Sequence, residues 1–152
     1  LKGKELSGDG MDISLCAIHL DETKDSRKIE WAGANNPLWF CYPEKTDSSL
    51  EIVNELAPDK YPIGSGYDEA SFNNHLIELP KNSTLYLFSD GYMDQFGGSK
   101  GKKLKKSGFK NLIQRIQSSP LLEQTTHIEQ FFIEWKGENE QIDDVCVMGV
   151  RI

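Results

Sequence analysis

Ser83-Thr84-Leu85-Tyr86-Leu87-Phe88-Ser89-Asp90-Gly91-Tyr92-Met93-Asp94 is the stretch that decides the fold. Its first six residues are β-prone and mostly apolar, and they run directly into Ser-Asp-Gly. A continuous apolar run bounded by turn residues predicts a buried strand. Gly91 is expected to let the chain turn sharply where that strand ends. An aspartate at the mouth of a buried strand is held rigidly yet can face a cleft. Mg²⁺-like cations need such a ligand, because they take few protein carboxylates and tolerate little slack. An ordinary Asp-Gly turn is the plain alternative.

Upstream, the chain reads as a meander. Strands are predicted over 11–20, 27–34, 38–42, 50–56 and 72–79, with a charged loop at 21–26, a polar loop at 44–49 and an irregular Pro/Gly connection at 57–68. Leu15-Cys16-Ala17-Ile18 is continuous and apolar, so both faces of the first strand are expected to be covered. Asp9-Gly10 lacks a leading apolar strand and reads as a plain turn. Asn35 and Asn36 either cap a turn or point amides into a site. Short links between strands imply antiparallel pairing.

Downstream, residues 95–107 read as a flexible segment of glycines and lysines. Ser107 is the expected N-cap of a helix carrying Phe109, Leu112, Ile113 and Ile116. Ser119-Pro120 opens a second helix whose apolar stripe runs through Leu121, Leu122, Thr125, Ile128, Phe131, Phe132 and Trp135 to a C-terminal Gly137. The chain closes with Asp143-Asp144 and a last buried strand over 145–152. Strands, then helices, then a strand make this an α+β chain with helices packed on mostly antiparallel sheets.

The 152 residues fit a single domain spanning 1–152. Its composition, 38% hydrophobic and 27% charged, is that of an ordinary globular chain. No apolar run approaches the ~18 residues of a membrane span, and no signal peptide is recognisable, so cytoplasmic residence without membrane contact is expected. A net charge of −7 argues against nucleic-acid binding. Cys16, Cys41 and Cys146, odd in number and isolated, read as buried reduced thiols. Lys100, Lys102, Lys103, Lys105, Lys106 and Lys110 form a basic cluster beside the Asp90 turn: a solvated flap, or an attractor for an acidic or phosphorylated partner.

Asp90 ends one predicted buried strand, and Asp143-Asp144 begins another. If those strands are antiparallel neighbours, the carboxylates share one rim, where their mutual repulsion favours a bound cation.

Ser89-Asp90-Gly91-Tyr92-Met93-Asp94, Asp143-Asp144-Val145-Cys146, Ala32-Gly33-Ala34-Asn35-Asn36-Pro37 and Tyr61-Pro62-Ile63-Gly64 together resemble the PP2C-type metal-dependent serine/threonine phosphatases, in particular their SpoIIE-like bacterial branch. The resemblance implies an α/β/β/α sandwich with two Mn²⁺ or Mg²⁺ ions at one edge. It also implies hydrolysis of phosphoserine or phosphothreonine without a covalent intermediate. Carried over by position, Asp90 and Asp143 are catalytic ligands of one metal, and Gly91 permits the close approach. Asp144, where many relatives have Asn, supports the ligands from behind or serves as an alternate ligand, and Asp94 serves an accessory metal.

As the output domain of a larger signalling chain, it would act on a phosphorylated regulatory protein such as an anti-sigma-factor antagonist. The family's early Asp-Gly, whose carboxylate bridges both metals, has no counterpart in 1–10. The chain therefore reads as the C-terminal portion of such a domain, with N-terminal strands and helices missing. Weak activity alone and an exposed apolar sheet face inviting homodimerisation are then expected. A receiver domain fails on order, since its acidic pair follows the first strand. The remaining alternative is a non-catalytic, phosphatase-like regulatory or binding module.

Overall fold

The computed structural model describes residues 10–43, 52–64 and 71–152. Asp9, the loop 44–49 and Leu50 of the expected fourth strand lie outside the described residues. Two antiparallel sheets and a helical layer make up the architecture. The outer sheet is β1 (Ile13–His19), β2 (Ser26–Ala34) and β5 (His75–Pro80), in the order β1-β2-β5. The middle sheet is β4 (Asn54–Leu56), β3 (Leu38–Cys41), β6 (Thr84–Phe88) and β9 (Val147–Arg151), in the order β4-β3-β6-β9. A one-turn helix α1 (Gly91–Asp94), a hairpin of β7 (Phe96–Gly97) and β8 (Lys102–Lys103), and helices α2 (Lys105–Ile116) and α3 (Leu121–Lys136) complete the chain.

Side-chain periodicity explains which sheet goes where. In β2, Arg27, Ile29 and Trp31 are buried while Lys28 is exposed and Glu30 half-exposed, the alternation of a sheet covered on one face. Ile18 and Ile77 flank Ile29 in register, and Cys16 flanks Trp31. With Leu38, Phe40, Leu79 and Leu85 they fill the space between the sheets. All four residues of β3 are buried, because this strand has cover on both faces. Leu38 and Phe40 face the outer sheet, whereas Trp39 and Cys41 join the cluster formed with α2. Burial pushes the Cys41 thiol up to about 12, so it stays protonated and inert at neutral pH.

Phe109 is the plug of the helical layer. It is 0% exposed, and its ring lies 4.4 Å from Tyr92, 5.1 Å from Phe88 and 5.3 Å from Trp39. Gln124 fixes α3 from within. Its amide donates to Ser119 O at 2.8 Å and Gln117 O at 3.1 Å, while Tyr86 OH donates to its Oε1 at 2.7 Å.

The sandwich expected from the sequence is present, and several local expectations are corrected. The first strand is not covered on both faces: Leu15 is 65% exposed and Ala17 is exposed, since no element among the described residues packs on that side. The last strand is half-exposed rather than buried, because β9 pairs only with β6 and lies at the sheet edge among the described residues. Of the three thiols only Cys41 is buried; Cys16 is half-buried and Cys146 exposed. The lysine segment forms the β7–β8 hairpin instead of an irregular flap. Helix α2 starts at Lys105, with Leu104 rather than Ser107 at its N-cap. Leu122 leaves the predicted stripe at 82% exposure, while Gln124, on no apolar pattern, is buried.

Phe109→Ala is expected to destabilise the chain by about 3–5 kcal/mol in urea unfolding, through lost burial and a residual cavity. Leu122→Ala should change stability by no more than about 0.5 kcal/mol. A comparable loss at both positions would contradict the assigned packing.

Candidate metal centre

Pairing of β6 with β9 builds the rim. The ladder runs antiparallel from Thr84↔Arg151 to Phe88↔Val147. Ser89 carries it one step further, its N–H donating to Cys146 O at 3.0 Å. The Ser89 hydroxyl accepts from Cys146 N at 2.9 Å and donates to Asp144 O at 2.8 Å. One small side chain thus closes the gap where the strands diverge, just before Asp90 and just after Asp143-Asp144. Ser89 received no role from the sequence, although its place inside Ser-Asp-Gly was visible.

Of the two tasks expected of Gly91, the sharp turn and the close approach, the structure shows the close approach. A Cβ there would lie 2.4 Å from Asp144 O and 3.3 Å from Asp143 Cβ. Glycine is needed because the two segments touch, more than for any turn geometry. Asp90 precedes this contact, and α1 places Asp94 four residues on, Asp94 N donating to Asp90 O at 2.9 Å. The two carboxylates therefore share one helical face.

The Asp90 carboxyl is raised above its ordinary value. Partial burial disfavours its charge first; Asp143 and Asp94 then repel it, and Asp12 adds to the repulsion. Asp90 remains exposed overall, so solvent screens these effects. Asp143 and Asp94 thus join Asp90 as the sequence suggested. Asp144 is held through its backbone: its N–H donates to Asp143 Oδ1 at 2.8 Å, and its carbonyl accepts from the Ser89 hydroxyl. Lys103 Nζ meets Asp94 at 2.8 Å, so part of the lysine cluster already serves as counter-ion to the rim.

Asp12 is the residue the sequence reading missed. Met11 exchanges two 2.9 Å backbone bonds with Ile63, and Asn35 Nδ2 donates to Asp12 Oδ1 at 2.8 Å. Asn35 sits at φ 57°, the left-handed region that asparagine tolerates. Asp59 links the same loops, with Asp59 N donating to Gly33 O and Asn35 N to Asp59 O, both at 2.9 Å. The two loops singled out in sequence, 32–37 and 61–64, thereby brace the segment that carries Asp12. No run of sequence announces this, because 11–12, 35 and 63 meet only through the fold.

Among the described residues no three His, Cys, Asp or Glu side chains stand close enough to cage an ion. The donors that converge are hard carboxylate oxygens with excess negative charge. That chemistry fits a divalent cation held by one or two carboxylates and otherwise hydrated, which is how Mg²⁺ is commonly bound.

A family model described as Stage II sporulation protein E (SpoIIE) matches residues 4–152. The SiaA-PP2C domain of Pseudomonas aeruginosa is similar in structure, with a TM-score of 0.71 at 27% identity, covering 82% of this chain and 46% of that one. The RsbU and RsbW domains of a Mycobacterium tuberculosis protein give 0.60 at 18%, covering 91% of this chain and 35% of that one. The phosphatase domain of the cell fate determinant SpoIIE from Bacillus subtilis gives 0.55 at 16%, covering 91% and 58%. The latter two likenesses concern the fold alone. This chain spans less than half the length of the Pseudomonas domain. No curated protein sequence matches it.

Crowding at Asp90 has a pH signature. A carboxyl raised on folding is more easily charged in the unfolded chain, so its ionisation opposes folding above the raised value and has no effect below the ordinary aspartate range. Asp90→Asn should therefore raise the metal-free Tm at pH 7 by roughly 1–2 °C, discounted for screening, and leave it unchanged near about pH 3. A lowered Tm at pH 7 would show that the carboxylates do not crowd. Gly91→Ala should cost about 1–3 kcal/mol, since a Cβ there meets backbone.

Proposed function

The chain belongs to the SpoIIE family, and we propose that it carries part of the catalytic centre of a metal-dependent phosphatase acting on phosphoserine or phosphothreonine of a regulatory protein. The observation that carries this reading is the β6–β9 ladder, which sets the Asp90-Gly91 turn against Asp143-Asp144, a Cβ on Gly91 falling 3.3 Å from Asp143 Cβ, with Asp94 one helical turn on. Asp90 and Asp143 would hold a Mn²⁺ or Mg²⁺ ion, with Asp94 serving an accessory ion and Asp144 an alternate ligand. When bound, such cations lower the pKa of a water and neutralise charge on a transferring phosphoryl group.

The chain's own residues supply placement. Ser89 and Gly91 fix the distance between the two acidic segments, and Asn35 orients Asp12 toward the same rim. Lys103, on the hairpin beside Asp94, adds a positive charge close to where a phosphate dianion would approach. In this reading the substrate is a phosphorylated signalling protein such as an anti-sigma-factor antagonist, and the chain is the output part of a longer protein in the cytoplasm. No helix among the described residues is long and apolar enough to cross a membrane. Exposed Leu15 and Leu76, on the uncovered face of the outer sheet, would support homodimerisation.

One observation favours a second reading. The absence of a three-ligand cluster among the described residues suits a phosphatase-like module that binds a partner without catalysis.

The test is Mn²⁺-dependent hydrolysis of a phosphoserine peptide by the chain and by an N-terminally extended form. Asp90→Asn and Asp143→Asn are each expected to lower kcat/KM by about 10²–10³-fold. Equal activity in wild type and Asp90→Asn would remove Asp90 from the site. Phosphopeptide binding without hydrolysis in both forms would establish the module.

A further inference from the structure

We propose that Gln95 is a positioning residue for this rim: it holds the 137–146 connection, and with it Asp143, at a fixed distance from the Asp90 turn. Gln95 directly follows Asp94 and is 0% exposed. A glutamine is seldom fully buried, and burying its polar atoms is unfavourable unless they are hydrogen-bonded. Here its main-chain groups and its side-chain NH2 are bonded to separate segments, while the buried Oε1 has no partner among the described residues. Its N–H donates to Gly91 O at 3.1 Å, inside the Asp90–Asp94 turn. Its carbonyl accepts from Leu104 N at 3.1 Å, at the start of α2, and from Trp135 Nε1 at 3.0 Å, at the end of α3. Its side-chain amide donates to Phe96 O at 3.0 Å and to Glu140 O at 2.8 Å.

The bond to Glu140 matters most. Glu140 lies three residues before Asp143, in a connection that leaves α3 at Gly137 and reaches β9 at Val147. Ser89 pins that connection at its far end, through Asp144 O and Cys146 N. Gln95 pins it at its near end. Between the two pins the chain has little freedom to carry Asp143 away from Asp90. The hairpin reinforces the near pin: Gly98 N donates to Trp135 O at 2.8 Å, and a Cβ on Gly97 would lie 1.8 Å from that same oxygen. The hairpin, the end of α3 and the acidic connection therefore meet at one residue, the side chain tying the hairpin to the connection and the main-chain carbonyl taking the α3 donor. An apolar residue of equal size would fill the space but leave the near end of the 137–146 connection untied at Glu140.

The positional claim stands on these bonds; its consequence for metal rests on the phosphatase reading. Gln95→Met keeps the volume and removes both amide donors. Hydrogen–deuterium exchange on the metal-free chain is expected to be about tenfold faster than wild type over residues 138–146. Ile113→Val, on the buried face of α2, should leave that segment unchanged once global stability is matched. Mn²⁺ affinity, followed by calorimetry or by the Mn²⁺ EPR signal, should weaken by about tenfold, as for other residues that support metal ligands indirectly. Trp135→Phe removes the donor to the Gln95 carbonyl, with part of the ring that packs on Gly98, and leaves the Gln95 side-chain bonds in place. It should give a smaller increase in the same segment, and it carries the test if Gln95→Met does not fold. Exchange within about twofold of wild type over 138–146, or equal acceleration in Ile113→Val, would overturn the proposal. Faster exchange in a chain that takes up no Mn²⁺ would support Gln95 as the tie and reject the metal-dependent reading.

Discussion

The pairing of β6 with β9 is the interaction on which the rest depends. These strands are distant in sequence, and their ladder brings the 89–94 turn against the 143–146 segment. At the point where the ladder ends, the backbone groups of Asp144 and Cys146 would face outward without partners. The Ser89 hydroxyl satisfies both, accepting one bond and donating the other. Because hydrogen bonds are directional, that single oxygen fixes the register and the local separation. Gly91 then allows contact at a distance no side chain would permit. The acidic rim is a consequence of how a buried ladder is terminated.

Holding like charges together opposes stability, and the layers behind the rim supply the compensation. The middle sheet has apolar cover on both faces, from the outer sheet on one side and from Phe109, Leu112 and Ile113 on the other. Fully burying a large side chain is worth about 1.5–3 kcal/mol, so a few such residues outweigh screened repulsion among partly exposed carboxylates. Aspartates can therefore be gathered at the strand ends without unravelling them. Of their polar supports, Ser89 and Gln95 lie where main-chain groups would otherwise be left unsatisfied, and Asn35 bonds the Asp12 carboxylate itself.

Much of this was legible from the chain alone. The apolar run of β6 announces a buried strand, and the residues of β2 and β3 announce strands without saying which faces are covered. The order of elements gives the layered α+β class, and the spacing of Phe109, Leu112, Ile113 and Ile116 gives α2. Asp90, Asp94 and Asp143 stand out because each adjoins a strong local pattern. Leu15 misled because a four-residue apolar run looks the same whether or not a second layer covers it. Leu122 misled because helical periodicity gives a stripe but not the edge of its contact. The β7–β8 hairpin was hidden by glycines and lysines that carry no β pattern.

Local chemistry, then, determined most of the elements, the α+β class and the candidate carboxylates at strand ends, since periodicity and turn residues act over a few positions. Only the tertiary structure decided that Asp12 joins Asp90, that Ser89 closes the gap between the strands, and that Gln95 is buried at a junction. Each of these depends on contacts between residues tens of positions apart, and hydrogen bonds of that kind leave no periodic trace in sequence. Asp12 is the plainest case: it stands beside an unremarkable turn, and becomes part of the rim only when Met11 pairs with Ile63 and Asn35 reaches across to its carboxylate.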